Sequence, residues 1–129
     1  MTDRRTPLGR VLGYGSAKEG TGHWWTQRLS AAALVLLGGW FAVSLALLPG
    51  LGHENVLEWL RRPFAAVLAL LLVLTTAWHS HLGVQVVIED YVHRPFAKIV
   101  ALVASRFVHA AAAAVGIVAV LRILFGAGA

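Results

Sequence analysis

The sequence predicts an all-α integral membrane protein in which three transmembrane helices form an up-down-up bundle. Of its 129 residues, 58% are hydrophobic and 13% are charged, which is about half the charged fraction of an ordinary soluble domain. A soluble chain of this length has too little interior to bury so many apolar side chains. Three long apolar runs account for them, because each is long enough to cross a bilayer. The length predicts a single domain, residues 1–129.

The first apolar run covers residues 29–48 and carries no charge. At about 1.5 Å rise per residue, it matches a hydrocarbon core of roughly 30 Å. Residues 1–28 before it are polar and rich in glycine. A cleaved signal peptide has its apolar core closer to the N-terminus, so we expect this first helix to be retained. Residues 49–63 after it are expected to form a loop or interfacial segment, with Trp59 at the level of the lipid headgroups.

The second and third apolar runs each follow a proline. The second covers residues 64–88 after Pro63, and the third covers residues 99–125 after Pro95. The third run contains an alanine stretch at residues 110–114. Small side chains let helix backbones approach closely in a membrane, so this stretch is predicted to pack against a neighbouring helix.

The basic residues predict the orientation of the bundle in the membrane. On the predicted cytoplasmic side lie Arg4, Arg5, Arg10, Lys18, Arg28, Arg94, Lys98 and Arg106, and on the opposite side lie Arg61, Arg62 and Arg122. Cytoplasmic segments carry the excess of Lys and Arg, so this distribution predicts a cytoplasmic N-terminus and an external C-terminus. The charges lie at the ends of apolar runs and not along one face, which indicates an anionic membrane surface as their partner and no nucleic acid. The chain has no cysteine and therefore ligates no iron–sulfur cluster.

Histidines inside apolar runs are the first candidates for a functional site, because ionisable groups in a bilayer are costly. His79 and His81 are about 200° apart around a helix, so they serve different sites. Gly83 lies one turn beyond His79 and leaves room for a flat macrocycle bound to the imidazole. Haem iron takes histidine as an axial ligand. His79 is therefore a candidate ligand, with a histidine hydrogen-bonded to another helix as the alternative; His109, on the same face as Arg106, is the rival ligand.

A second polar cluster follows at the end of the second run. Glu89, Asp90, Tyr91 and His93 place two carboxylates, a phenol and an imidazole at the predicted cytoplasmic boundary. Such groups donate the hydrogen bonds and protons that quinone reduction needs, whereas simple anchoring at the interface is the alternative. Arg28, at the mouth of the first run, either faces a site or reaches to lipid phosphate.

The spacing of these residues resembles a known family. A histidine, a glycine four residues later, and Asp-Tyr seven and eight residues after the glycine are typical of the small hydrophobic anchor subunit of succinate dehydrogenase. His79, Gly83, Asp90 and Tyr91 fill those places here. Residues 15–28 resemble the segment that precedes the first helix in alphaproteobacterial and mitochondrial-type members.

The resemblance implies a non-catalytic subunit of succinate:quinone oxidoreductase in the bacterial inner membrane. His79 would be an axial ligand of haem b, with His81 as the alternative ligand to the iron. Tyr91 would donate a hydrogen bond to ubiquinone, and Asp90 and Arg28 would lie near the quinone, Arg28 alternatively near a haem propionate.

The implied partners are a flavoprotein subunit, an iron–sulfur subunit and a second haem-binding membrane anchor subunit, together with the lipid bilayer. A single well-placed histidine cannot complete a bis-histidine site, so a second anchor is needed for haem binding. Two alternatives remain at this point. One is a fumarate reductase-type anchor, and the other is a purely structural anchor or assembly protein without a cofactor.

Overall fold

The computed structural model describes residues 6–11 and 20–126, and all regular structure in this part of the chain is helical. The helices are α1 (Pro7–Val11), α2 (Gly20–Ala46), α3 (His53–Leu60), α4 (Pro63–Tyr91) and α5 (Pro95–Leu124). By length and composition, α2, α4 and α5 can each cross a membrane. The all-α prediction with three transmembrane helices is therefore confirmed. Part of the predicted N-terminal segment, residues 1–5 and 12–19, lies outside the described residues.

Two prolines define where α4 and α5 begin. Pro63 and Pro95 each lie in the first turn of their helix, where a missing N–H has no intrahelical acceptor to lose. The residues before them, Arg62 and Arg94, are extended with ψ of 126° and 120°, because a following proline disfavours the helical region. At the far end of α5, Gly126 has φ of 69°, a left-handed conformation that glycine adopts without steric cost.

The helices are longer than the apolar runs. Helix α2 begins at Gly20 rather than at residue 29, and α4 continues to Tyr91 rather than ending at residue 88. An apolar run matches the thickness of the hydrocarbon core, whereas backbone hydrogen bonding extends the helix through polar residues beyond it. The segment preceding the first run is therefore helical from residue 20 onward.

Helix α3 lies in the connection that was expected to be a loop or interfacial segment. It begins at His53 and ends at Leu60, within residues 49–63. Trp59 is only 7% exposed, and its ring stacks on Trp40 at a centroid distance of 5.6 Å and lies 5.8 Å from Phe41. Trp59 is predicted to lie at the level of the lipid headgroups, and within the chain its ring is covered by aromatic rings of α2. This aromatic cluster holds α3 against α2.

Helix α4 packs against both α2 and α5. Ser80 of α4 contacts His109 of α5, and Ala66, earlier in α4, packs with Val120, later in α5. Since the order of these contacts reverses between the two helices, α4 and α5 are antiparallel. This arrangement agrees with an up-down-up bundle.

Small residues allow the close approach of α4 and α5. A Cβ atom built on Gly116 would lie 2.7 Å from Cγ1 of Val73, while Ala66 is 0% and Ala69 6% exposed. Most of the alanine stretch at residues 110–114 is exposed. The prediction that this stretch packs closely is wrong within the chain, because five consecutive residues extend more than once around a helix and only part of them faces α4.

Most large apolar side chains of the described residues lie on the outside of the molecule. Leu36, Phe107 and Val115 are 75%, 72% and 70% exposed, and among the described residues only six hydrophobic and two polar side chains are buried. In an aqueous protein such a surface would be strongly unfavourable. In a protein whose helices can cross a membrane, such a surface is suited to contact with lipid.

Candidate functional site

A hydrogen-bonded contact inside the membrane joins α2 to α4. The hydroxyl oxygen of Ser30 lies 2.9 Å from Nδ1 of His79 and 3.0 Å from the backbone carbonyl oxygen of Gln27. Ser30 is 8% exposed, and His79 is half-buried. Helix α2 thus presents a polar side chain to the predicted haem ligand.

The two hydrogen bonds of Ser30 determine which nitrogen of His79 carries the proton. A carbonyl oxygen only accepts, so the single hydroxyl proton of Ser30 is donated to Gln27. The hydroxyl oxygen then accepts a hydrogen bond from His79, which places the imidazole proton on Nδ1. In the neutral imidazole the lone pair is therefore on Nε2. Within the described part of the chain, Nε2 of His79 has no hydrogen-bond partner.

Gly83 lies one turn beyond His79 and is not required by packing within the chain. A Cβ atom built on it would meet only the side-chain nitrogen of Gln27, at 3.9 Å. A glycine inside a helix costs about 1 kcal/mol relative to alanine. Gly38 and Gly39 of α2 are equally open, so Gly83 is distinguished by its position beside His79. Because glycine has no side chain, there is room beside the imidazole for a flat ligand.

The other membrane histidines contact each other on the α5 side of α4. The ring centroids of His81 and His109 are 5.6 Å apart. His109 donates from Nδ1 to the carbonyl oxygen of Ser105 at 2.7 Å, and its Nε2 accepts from the Ser80 hydroxyl at 3.1 Å. Both nitrogens of His109 are therefore engaged. His79 contacts α2 and His81 contacts α5, so the two side chains lie on different sides of α4.

Several buried polar atoms near these histidines have no partner among the described residues. They are Nε2 of His23, the side-chain oxygen of Gln27 and Nδ1 of His81. Buried polar atoms in folded proteins are nearly always hydrogen-bonded, so water or a group from outside the chain satisfies them. His81 also borders an open cavity of about 520 Å³ that is lined by Gln85 and Arg106.

Two of the predicted quinone residues, Asp90 and Tyr91, lie at the surface at the end of α4, whereas Arg28 lies on α2. Tyr91 is 77% exposed, Asp90 is exposed, and the guanidinium of Arg28 lies 5.4 Å from the centre of the Trp24 ring. Among the described residues, the side chains of Arg28, Asp90 and Tyr91 make no hydrogen bond or ion pair with one another. Since α4 is continuous from His79 to Tyr91, the twelve residues between them correspond to about 18 Å.

The short turn after Tyr91 is held by polar contacts of its own. The amine of Lys98 donates to the carbonyl oxygen of Glu89 at 2.8 Å, and the side chain of Gln85 donates to the Glu89 carboxylate at 2.8 Å. A cation at the last carbonyl groups of a helix also complements the helix dipole. These contacts fix the end of α4 and thereby the position of Tyr91.

Sequence reasoning missed the serines that accompany the histidines. Ser30 and Ser80 are polar residues at membrane depth, which is a signal that each needs a partner. Their partners depend on how each helix is rotated, and the sequence alone does not give that rotation. Among the described residues, no three histidine or carboxylate side chains converge as a metal site.

Comparison with known proteins gives a consistent result. The family model described as succinate dehydrogenase/fumarate reductase transmembrane subunit matches residues 2–121. The succinate dehydrogenase hydrophobic membrane anchor subunit of Rickettsia bellii is 38% identical over 91 residues, which is 70% of this chain and 72% of that protein. The subunit of the same name from Paracoccus denitrificans is 38% identical over 86 residues, 67% of each chain. The succinate dehydrogenase membrane anchor subunit of Reclinomonas americana is 29% identical over 96 residues, 72% of this chain and 80% of that protein. No solved structure matches.

Proposed function

Since the chain belongs to the family of succinate dehydrogenase/fumarate reductase transmembrane subunits, we propose that it shares a haem b with a second anchor subunit and contributes to a ubiquinone-reduction site. It is a multi-pass membrane anchor subunit, which in bacteria lies in the inner membrane. The three relatives described above are all named as succinate dehydrogenase subunits. These names favour succinate dehydrogenase over the fumarate reductase-type alternative.

The observation that carries the haem proposal is the free Nε2 of His79. Haem iron binds the lone pair of a neutral imidazole nitrogen. The Ser30 contact leaves that lone pair on Nε2. Gly83 has no side chain and so leaves room beside the imidazole. His109 fits less well, because both of its nitrogens already make hydrogen bonds. When bound, the haem would supply a one-electron redox centre within the membrane.

The second iron ligand would come from the partner anchor subunit. His81 and His109 lie on the α5 side of α4, whereas His79 faces α2. The two histidines therefore lie on a different side of α4 from His79. A flavoprotein subunit and an iron–sulfur subunit would complete the complex on the cytoplasmic face of the membrane.

The proposed quinone contact is made by Tyr91. Each electron added to a quinone makes its carbonyl oxygens more basic, so a phenolic hydroxyl stabilises the reduced forms by donating a hydrogen bond. The exposed phenol at the end of α4 is accessible to a group from outside the chain. Asp90 would supply charge beside Tyr91, and Arg28 would supply charge from α2, next to Gln27, whose side chain lies near Gly83. About 18 Å of helix separates Tyr91 from His79, so the haem and quinone contacts are separate sites.

A purely structural anchor is the competing function. Such an anchor does not need a histidine nitrogen without a hydrogen-bond partner inside the membrane. It also does not need a glycine that leaves room beside that histidine. The optical spectrum of the purified complex separates the two functions. We expect the α-band of reduced b-type haem to be lost in His79→Ala and kept in His81→Ala.

Two results would contradict this proposal. Loss of the band in His81→Ala, with retention in His79→Ala, would transfer the ligand role to His81. A wild-type complex that holds all its subunits but has no haem band would identify a structural anchor. Co-elution of the flavoprotein and iron–sulfur subunits with each variant establishes that the anchor is folded and assembled.

A further inference from the structure

We propose that Ser30 is the positioning residue for His79, accepting the Nδ1 proton so that Nε2 is the ligating atom. This inference rests on the proposed haem function. Ser30 belongs to a different helix from His79, so the contact also ties the ligand to α2. The residue is in neither the spacing pattern that suggested His79 nor the predicted quinone cluster.

The backbone of α2 fixes the direction of this hydrogen bond. Ser30 has one proton, and the carbonyl oxygen of Gln27 at 3.0 Å can only accept it. If Ser30 instead donated to His79, the contact with Gln27 would lose its proton and the imidazole proton would move to Nε2. Nε2 would then have no lone pair for a metal. The carbonyl of Gln27 thus selects the tautomer of His79 that can ligate iron.

The contact also restricts the imidazole ring. Ser30 is buried and held by its own helix, so it offers the Nδ1 proton a fixed acceptor. The ring consequently has one favoured rotation about its bond to Cβ. Hydrogen bonding of the non-ligating N–H fixes the orientation of a histidine ligand and raises its basicity. A more basic ligand stabilises ferric iron over ferrous iron, which lowers the midpoint potential.

Ser80 supplies a matched control. It also contacts a membrane histidine, but its hydroxyl donates to Nε2 of His109. Ser80 is the residue next to His79 in the sequence, and its side chain is directed to α5 rather than to α2. Ser80→Ala therefore removes a serine–histidine contact of similar length without altering the partner of His79.

The test uses the complete purified complex carrying Ser30→Ala, Ser30→Thr or Ser80→Ala. Haem release is followed by transfer to an excess of haem-free globin, and the midpoint potential is measured by redox titration. We expect Ser30→Ala to weaken haem retention about 10- to 100-fold, the usual effect of removing such a partner, and to raise the midpoint potential. Ser30→Thr keeps a hydroxyl and restores both properties, and Ser80→Ala leaves both at the wild-type value.

Unchanged haem release and potential in Ser30→Ala would overturn the proposal, as would equal effects of Ser30→Ala and Ser80→Ala. Failure of Ser30→Thr to restore either property would also overturn it. If His79→Ala retains the haem band, the proposed function itself fails. That result is distinct from a complex in which His79→Ala loses haem while Ser30→Ala behaves as wild type.

Discussion

The close approach of α4 and α5 at Gly116 leads to a prediction about stability. In Gly116→Ala the added methyl group would lie 2.7 Å from Cγ1 of Val73, well inside the 3.5–4.0 Å of optimal carbon contact. Valine in a helix strongly prefers one side-chain rotamer, so Val73 cannot simply rotate away. The methyl group forces the two helices apart or strains one of them.

Two opposing free-energy terms set the size of the effect. Overpacking of a well-packed site typically costs about 1–3 kcal/mol. Replacing glycine by alanine inside a helix stabilises the helix by about 1 kcal/mol. The difference between the two terms predicts that Gly116→Ala lowers the stability of the anchor by about 0–2 kcal/mol. The double variant Val73→Ala/Gly116→Ala removes the clash and should be more stable than the sum of the single changes predicts.

The assay is the temperature at which the anchor dissociates from the detergent-solubilised complex, measured for the wild type, both single variants and the double variant. Gly38→Ala is the matched control, because a Cβ atom at that open position meets nothing within 4 Å. We expect Gly38→Ala to be neutral or stabilising. Additive effects of Val73→Ala and Gly116→Ala would refute the close contact, as would a Gly116→Ala complex that is more stable than the Gly38→Ala complex.

Two further predictions concern the quinone contact and the orientation. Tyr91→Phe should impair ubiquinone reduction and leave succinate-to-dye electron transfer intact, because it removes only the hydroxyl of an exposed ring; normal quinone turnover would remove Tyr91 from the site. The chain has no cysteine, so single-cysteine variants report orientation directly. A membrane-impermeant maleimide added outside intact cells should label Leu51→Cys, whereas His93→Cys should react only after permeabilisation. The reverse labelling pattern would contradict a cytoplasmic N-terminus.

The sequence predicted the transmembrane helices well because their physical cause is local. Twenty or more apolar residues without charge have few stable alternatives to crossing a bilayer. Pro63 and Pro95 marked the starts of α4 and α5, since proline acts on its own backbone and on the residue before it. Helix α3 was missed because its stability depends on Trp59 packing against Trp40 of another helix.

Part of the site was also predictable, because some of its geometry has a local cause. The separation of His79 from His81 follows from helix geometry alone, and the structure places them against different helices. Their partners were not predictable, because Ser30 and Ser80 meet histidines 49 and 29 residues away. Such pairs depend on the rotation and register of whole helices. The roles of His79, Tyr91, Asp90 and Arg28 stay predictions, which the experiments above test.

The exposed apolar surface of the chain has a consequence for its abundance in the cell. Helices in lipid associate through packing and polar contacts rather than through the hydrophobic effect, and the described residues bury only six hydrophobic and two polar side chains against one another. Lipid and the subunits that the anchor holds at the membrane therefore cover the rest of its surface. By mass action, a partner that binds the folded form raises its population. The amount of folded anchor in a membrane is consequently set by the supply of its partners as well as by its own synthesis.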